Sequence, residues 1–412
     1  MLVYCYLRKK GNPMSKLKGI VSVASNSPYV PTGYGVQTGY LVDRLKRDGA
    51  DVAALSNFGL EGSNSTLKTP AGEIPHYARG FESYSNDVLP MNHAHHSKTV
   101  NHTRKDKLKD LLITLYDVWV FKGKAWDRIP QIASWTPLDH VTIPPAVLAW
   151  LKKPNVVPIA MSLHGKRQME QNGLACEYVP HAVDTKVMKP TYEVAGVETR
   201  KFMGLSKDDF VVGMNAANKA GGLLHRKAFA ENIMAFSIFA KDKPDAKLYL
   251  HTDPFGGAGG WNLFVLCESL GIKPEQILFP DMADYKYGIS QETLAAFYTT
   301  MDVMLTPSYG EGFGVPTIEA QSCGTRIIGS NWAATPDLVS ADSWLVDGQP
   351  SWDAGQNAWW QVPLIPSIVN ALEEAYKLRG TRSQESIDFV KQFDVETVWE
   401  NHWLPVLKKL LA

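Results

Sequence analysis

The sequence predicts an α/β protein built from two Rossmann-like domains that face each other across a cleft. Its 412 residues exceed what one hydrophobic core usually organises, so two domains are expected. Short apolar segments alternate with longer amphipathic ones in two separate series, a pattern that is typical of parallel βαβ units. The composition, 45% hydrophobic and 20% charged, indicates a packed globular protein.

The first series predicts an N-terminal domain over residues 14–187. GIVSVAS (19–25) has the apolar character of a buried strand, and residues 36–49 form an amphipathic segment that ends at a glycine, as helices often do. Four further strands are predicted at DVWVF (117–121), IPQIASW (129–135), NVVPIAM (155–161) and CEYVP (176–180). Residues 57–110 lack clear periodicity and are expected to form an irregular segment.

The second series predicts a C-terminal domain over residues 188–390. It begins with the apolar strand FVVGMN (210–215) and alternates regularly as far as the strand TRIIG (325–329). Residues 391–412 end in an amphipathic segment that is expected to form a helix. Parallel sheets of this kind bind ligands at the carboxyl ends of their strands, so the predicted site faces the cleft.

The charge balance and the cysteine content indicate which partners and which cellular compartment to expect. Forty-two basic residues balance 42 acidic ones, which gives no global attraction to nucleic acid or to an anionic membrane. The four cysteines lie far apart without a CxxC pair, and no apolar run approaches the ~20 residues of a spanning helix. A cytoplasmic protein without a transmembrane segment is expected, with peripheral membrane association as a weaker alternative.

One segment, PSYGEGFGVPTIEAQSCG (307–324), combines a glycine-rich loop with the start of a helix. Gly312 and Gly314 allow the backbone to approach a ligand closely because they have no Cβ atom. Pro316 suits the first turn of a helix, whose free N–H groups and positive dipole end favour a phosphate group. The segment therefore predicts a cradle for a diphosphate, with Ser308, Phe313 and Val315 as further candidate contacts.

Two carboxylates, Glu311 and Glu319, flank this loop with seven residues between them. The spacing and the surrounding EGFGVPTIEA resemble the EX7E signature of retaining GT-B glycosyltransferases of family 4. The resemblance implies that Glu311 contacts the donor sugar and that Glu319 accepts the ribose hydroxyls of a nucleotide-diphosphate sugar. An ordinary glycine-rich loop of a Rossmann domain is the structural alternative, but it would not require both acids.

The resemblance extends to HRKAFAENIMAF (225–236), where the family carries a basic pair. It implies that Arg226 and Lys227 neutralise the charge of the departing diphosphate, although a solvated helix start would also explain Arg226. The sequence lacks the family's Gly-Arg dipeptide after the preceding strand, and Lys219 or Asn218 is the candidate for its phosphate contact. Asp337 stands where family members often carry a glutamate. The resemblance also implies that the C-terminal helix of residues 391–412 crosses back to the first domain.

The first domain supplies candidates for the other side of the cleft. Gly33 and Gly35 follow the first strand, where the family's N-terminal glycine loop approaches the distal phosphate or the sugar; a simple tight turn is the alternative. Asp139 and His140 lie where many members place an acid or a histidine facing the sugar. Either residue could instead cap a helix or lie at the surface.

The function that the resemblance implies is transfer of a sugar from a nucleotide-diphosphate sugar to an acceptor hydroxyl, with retention at the anomeric carbon. The acceptor is open among a glycan, a lipid carrier, a protein, a small molecule and a modified nucleobase. A GT-B-fold epimerase and a non-catalytic nucleotide-sugar-binding protein are the rival functions. No catalytic metal and no cofactor are expected, because no DxD motif is evident and the histidines at 93, 95 and 96 are expected in a solvated loop.

Overall fold

The computed structural model describes residues 16–102, 104–219 and 224–412. Residue 14, where the sequence places the start of the first domain, lies outside these ranges. The chain carries two mainly parallel sheets, one from each predicted series, so the predicted pair of Rossmann-like domains is confirmed.

The first sheet has eight strands in the order β3-β4-β2-β1-β5-β6-β7-β8. All neighbours are parallel except β3 and β4, which form an antiparallel hairpin at one edge. The crossover helices bury the apolar strands on both faces, which is why these strands are almost continuously hydrophobic. The strands are β1 Ile20–Ser25, β2 Asp51–Ser56, β3 Ser65–Thr69, β4 Gly72–Tyr77, β5 Asp110–Leu115, β6 Ile132–Thr136, β7 Val156–Ala160 and β8 Glu177–Tyr178.

Two expectations for this domain are wrong. DVWVF (117–121) is not a strand: Val118–Val120 form a short 3-10 helix, and the strand is β5, immediately before it. Residues 57–110 are not irregular, because they contain β3, β4 and a long helix, Leu89–His102. The helices of the domain are α1 Gly33–Arg47, α2 Leu89–His102, α3 Pro145–Leu151 and α4 Leu163–Gln171.

A short connection joins the two domains. It contains the two-stranded pair β9 Glu193–Val194 and β10 Val197–Glu198, followed by the helix α5 Thr199–Phe202.

The second sheet has six parallel strands in the order β13-β12-β11-β14-β15-β16. They are β11 Phe210–Asn215, β12 Ala246–His251, β13 Ile277–Leu278, β14 Val303–Leu305, β15 Arg326–Ser330 and β16 Trp344–Val346. The helices are α6 Phe229–Phe239, α7 Leu263–Ser269, α8 Met282–Tyr287, α9 Gln291–Thr300, α10 Val315–Ser322 and α11 Ile365–Lys377. Between β16 and α11 the chain forms an antiparallel hairpin of β17 Gly348–Asp353 and β18 Ala358–Pro363.

The C-terminal segment packs back onto the first domain. It contains α12 Gln384–Val390, α13 Val395–Val398, a π-helical turn Trp399–Trp403 and α14 Leu404–Leu411. The indole Nε1 of Trp399 donates to Asp48 Oδ2 at 2.9 Å, and Glu396 accepts from Arg44 at 2.7 Å. Trp403 packs edge-on against Trp135 of β6 at 4.9 Å. These contacts tie the end of the chain to the first helix and the first sheet.

None of the helices in the described part of the chain has the length and apolar character that crossing a bilayer requires.

Candidate functional site

A pocket opens at the carboxyl ends of β11 and β14, on the side of the second sheet that faces the first domain. Its wall combines apolar side chains, such as Met214 and Leu305, with polar and charged groups and the start of α10. The lining includes Asn215, Lys227, Ser308, Glu311, Gly314 and Thr317. The position agrees with the general rule that parallel α/β sheets bind ligands beyond the ends of their strands.

The loop before α10 determines the backbone conformation at the start of this helix. Gly314 precedes the helix with a φ of 98°, a left-handed conformation that favours glycine, and Pro316 occupies the first turn. Pro316 has no N–H, and the Thr317 N–H already donates to the Gly314 carbonyl at 2.9 Å, so these two positions offer no free backbone donor. Ser308 is buried, and its Oγ has no hydrogen-bond partner within the described residues.

Glu311 is the centre of the charge arrangement. Its Oε1 lies 2.6 Å from Lys227 Nζ, and its Oε2 lies 3.4 Å from Arg226 Nη1. Burial alone would raise the pKa of Glu311, but the two cations together hold it below its ordinary value. Burial lowers the pKa of Lys227, and Arg226 adds to this, while Glu311 opposes it. The two shifts favour opposite protonation states of the pair, and the short contact of 2.6 Å favours the ion pair.

Glu319 has a different environment. It lies within α10, is 8% exposed, and its Oε2 accepts a hydrogen bond from the Tyr298 hydroxyl at 2.8 Å. Asn215, which lines the pocket, donates to the same hydroxyl at 2.6 Å. Burial raises the pKa of Glu319 to about 7. The side chain is therefore linked to the pocket wall through Tyr298 rather than through a cation.

Asp139 and His140 come from the first domain and reach this cluster. Asp139 Oδ2 lies 3.6 Å from Arg226 Nη1 across the cleft, and Asp139 Oδ1 lies 2.7 Å from His140 Nδ1. Burial would raise the pKa of Asp139, but His140 and Arg226 lower it. The structure thus brings Asp139, His140, Arg226, Lys227 and Glu311 together, although they come from three separate segments of the chain.

Two glycines of the loop before α10, Gly310 and Gly312, pack against the first domain. A Cβ atom on Gly310 would collide with the carbonyl oxygen of Asp139, and one on Gly312 would collide with Pro137. Their small size therefore permits the close approach of the two domains. This is a different use of glycine from the phosphate contact that the sequence suggested for Gly312.

Phe313 and Val315 are buried packing residues. The Phe313 ring lies edge-on against His181 at 5.2 Å and against Phe393 at 5.7 Å. Their side chains belong to the core cluster that joins the two domains, so a donor contact from either residue would come from its backbone.

The predicted glycines of the first domain lie in the first turn of α1. Thr32 caps this helix by accepting from the Gly35 N–H at 3.1 Å, and a Cβ atom on Gly35 would collide with the Val30 carbonyl. Gly33 is exposed with open space around its Cα atom. Lys219 is also exposed, in the loop that follows β11.

Two residues of the site were not predicted from the sequence. Tyr34 lies between the two glycines of α1, and burial, followed by the charges of Asp117 and Asp139, raises its pKa. Asp117 follows β5 directly; its enclosure in the cleft and the neighbouring Asp139 raise its pKa to about 6, although its surface is exposed to water. Asp117 could have been found as a polar residue just after the carboxyl end of a strand. It was missed because the predicted strand at 117–121 placed it at the start of a strand instead.

Other candidate groups lie elsewhere. The histidines at 93, 95 and 96 belong to helix α2 and not to a loop, and His93 is buried with its Nδ1 2.9 Å from Ser22 Oγ. Across residues 16–102, 104–219 and 224–412, no three His, Cys, Asp or Glu side chains are grouped as metal ligands would be.

Asp337 accepts hydrogen bonds from both terminal nitrogens of Arg167, a residue of the first domain, at 3.2 and 2.7 Å.

Residues 218–358 match the family model described as Glycosyl transferases group 1. D-inositol 3-phosphate glycosyltransferase of Paenarthrobacter aurescens is 27% identical over 175 residues, which cover 42% of this chain and 39% of that protein. Serotype-specific mannosyltransferase WbdA of Escherichia coli is 29% identical over 131 residues, 31% of this chain and 15% of that protein. The matched part thus spans about two fifths or less of the length of these curated relatives.

Solved structures of similar fold cover nearly the whole chain. Sucrose-phosphate synthase from Thermosynechococcus elongatus aligns with a TM-score of 0.70 and 16% identity over 95% of this chain and 99% of that one. HepE of Anabaena, solved in complex with UDP-glucose, aligns with a TM-score of 0.64 and 16% identity over 96% of this chain and 100% of that one. Residues 218–358 are therefore similar to glycosyl transferases group 1, and the chain as a whole has the GT-B fold.

Proposed function

We propose that this protein is a retaining glycosyltransferase of family 4, which moves a sugar from a nucleotide-diphosphate sugar to an acceptor hydroxyl. The observation that carries the proposal is the pocket at the start of α10, where Glu311, Lys227 and Arg226 form a charged cluster between the two domains. The match of residues 218–358 to the glycosyl transferases group 1 model supports it.

The donor diphosphate binds at the helix start and the basic pair. The positive end of the α10 dipole favours an anion, and Lys227 lines the same pocket. Ser308, with its unpaired buried Oγ, is suited to donate to a phosphate oxygen. The remaining donor contacts that we assign are made by Arg226, by Lys219 and by the backbone of Gly312, Phe313, Gly314 and Val315.

The two acids have separate roles. Glu311 holds the hydroxyls of the transferred sugar, because its carboxylate lines the pocket beside the cations that take the phosphates. Glu319 accepts the ribose hydroxyls of the nucleotide, and its partner Tyr298 holds the carboxylate in place. Gly33 and Gly35, in the first turn of α1, approach the distal phosphate from the first domain.

The reaction breaks the bond between the anomeric carbon and the diphosphate oxygen and forms a bond from that carbon to the acceptor oxygen on the same face. The acceptor proton passes to the departing diphosphate. Lys227 and Arg226 stabilise the negative charge that develops on the leaving group, and Asp139 with His140 faces the sugar from the first domain. Closure of the domains limits the access of water to the reacting carbon.

Binding of a nucleotide sugar is the first test. We expect one member of a panel of UDP-, GDP- and ADP-sugars to raise the melting temperature, because a ligand that binds only the folded state stabilises it. UDP-glucose is the first donor to try, since HepE, which shares the fold, has been solved with it. Absence of any stabilisation across the panel at millimolar concentrations would overturn the proposal.

The stereochemistry is tested on the product. With the donor identified, proton NMR of the transferred sugar reports its anomeric configuration through the coupling constant of the anomeric proton. We expect the configuration of the donor to be kept. An inverted product would refute the retaining assignment while leaving sugar transfer intact, and a changed sugar without any acceptor product would indicate an epimerase.

A further inference from the structure

The hairpin of β17 and β18 crosses from the second domain to the first. Val141, next to the candidate residues Asp139 and His140, forms an antiparallel bridge with Trp359 of β18. The Val141 N–H donates to the Trp359 carbonyl at 3.0 Å, and the Trp359 N–H donates to the Val141 carbonyl at 2.7 Å. The second domain is therefore attached to the first by backbone hydrogen bonds at the edge of the site.

One face of the hairpin meets the imidazole of His140. Cross-strand pairing places Ser351 opposite Trp360 and Asp353 opposite Ala358, so the side chains of Asp353 and Trp360 share a face. Asp353 Oδ2 lies 3.1 Å from His140 Nε2. The Trp360 ring stacks on the imidazole with a centroid distance of 4.8 Å and an interplanar angle of 17°.

The other ring nitrogen of His140 faces Asp139. The distance of 2.7 Å is short, but the carboxylate lies away from the N–H axis, so this contact is an ion pair more than a linear hydrogen bond. Asp139 in turn faces Arg226, which faces Glu311. The result is a chain of alternating charges that crosses the cleft twice, in the order Asp353, His140, Asp139, Arg226, Glu311 and Lys227.

The environment of His140 favours the imidazolium. Its side chain is 4% exposed, and burial alone would lower the pKa, but the carboxylates of Asp139 and Asp353 raise it above the ordinary histidine value. A cation stacked on an indole ring gains further from the negative face of the ring. The two carboxylates and the indole ring therefore all stabilise the protonated, positively charged form of His140.

We propose that Asp353 and Trp360 are positioning residues of the reaction centre, which clamp His140 so that Asp139 stays turned towards Arg226 and the first domain stays closed over the donor pocket. This inference rests on the proposed function for its catalytic consequence. The clamp itself is a property of the protein alone, so it can be tested without any substrate.

Titration of His140 tests the clamp directly. The charged groups around the imidazole are Asp139 and Asp353, with Arg226 and Asp117 behind Asp139. In the Asp353→Asn variant, removal of one carboxylate should lower the NMR titration midpoint of His140 by about one pH unit or more. The matched control is Asp347→Asn, which removes an exposed carboxylate just before the hairpin and should leave the midpoint unchanged. The resonance is assigned by its loss in His140→Gln.

The kinetic test uses the donor that the binding panel identifies. Asp353→Asn should lower kcat roughly tenfold to a hundredfold, as expected for a misplaced catalytic group, and should leave the dissociation constant of the nucleotide near the wild-type value. The alkaline limb of its pH–rate profile should move to lower pH, since His140 then loses its proton earlier. Trp360→Phe, which keeps a stacking ring, should retain more activity than Trp360→Leu.

The outcomes separate the clamp from the proposed function. An unchanged His140 midpoint in Asp353→Asn would overturn the clamp even if the wild type transfers sugar. A lowered midpoint with a kcat and pH profile equal to those of Asp347→Asn would overturn the positioning role. A wild type that stacks and titrates as described but binds no nucleotide sugar would refute the proposed function and leave the clamp standing.

Discussion

Lys227 Nζ lies 2.6 Å from Glu311 Oε1, so the basic pair and the acidic residue that sequence analysis assigned to separate roles are in direct contact. The contact joins the loop before α6 to the loop before α10. A diphosphate that binds to Lys227 must share it with the carboxylate, which makes the position of Glu311 sensitive to the donor. The pair therefore couples the phosphate and sugar parts of the proposed site.

Replacement of Lys227 tests the leaving-group role. Lys227→Met keeps the aliphatic length and removes the charge, and we expect kcat to fall by about a hundredfold because the cation acts mainly on charge that develops in the transition state. Turnover at saturating donor is the measurement. Lys241→Met, at an exposed position just beyond α6, is the control and should have wild-type turnover. Equal turnover in both variants would contradict the role.

Gly310 tests the close approach of the domains. Gly310→Ala places a Cβ atom against the carbonyl of Asp139, and we expect a loss of about 1–3 kcal/mol in the free energy of unfolding or a larger radius of gyration as the domains separate. Denaturant unfolding and small-angle scattering measure the two outcomes. Gly33→Ala, where the added methyl meets open space, is the stability control. A variant of Gly310 with unchanged stability and size would show that the contact is not tight.

The buried carboxyl of Glu319 makes stability depend on pH. Its folded pKa of about 7 lies above the unfolded value, so the folded state keeps the proton longer, and the associated stability is lost as the pH rises through 7. Glu319→Gln cannot ionise. Its unfolding free energy relative to wild type should therefore increase between pH 5 and pH 8, by up to about 3 kcal/mol. Glu385→Gln, at an exposed site, should show no such trend, and a flat difference for Glu319→Gln would refute the burial argument.

The sequence predicted most of the fold because parallel strands have strong local patterns. The strand at 210–215 and the helix start at Val315 follow from apolar runs, glycines and a proline that are neighbours in the chain. The strand at 117–121 was wrong because DLLITL and DVWVF are both short apolar runs, and only tertiary packing selects the first as β5.

The site was predicted in parts rather than as a whole. The loop motif identified Glu311 and the segment 225–236 identified Lys227, but neither revealed that the two side chains touch. The partner of His140 could not be predicted, because Asp353 lies 213 residues away and on a hairpin with no motif of its own. Histidines 93, 95 and 96 were assigned to a loop because their polar composition hid the helix, whose inward positions are filled by His93 and His96.

Glu311→Gln measures the central claim most directly, because it keeps the size of the side chain and replaces the charged carboxylate with a neutral amide. With the identified donor, kcat and the calorimetric dissociation constant of the free nucleotide are determined for wild type and variant. We predict a fall in kcat of about a hundredfold or more, with the nucleotide dissociation constant changed by less than about threefold. Wild-type kcat in the variant would contradict the proposed reaction centre.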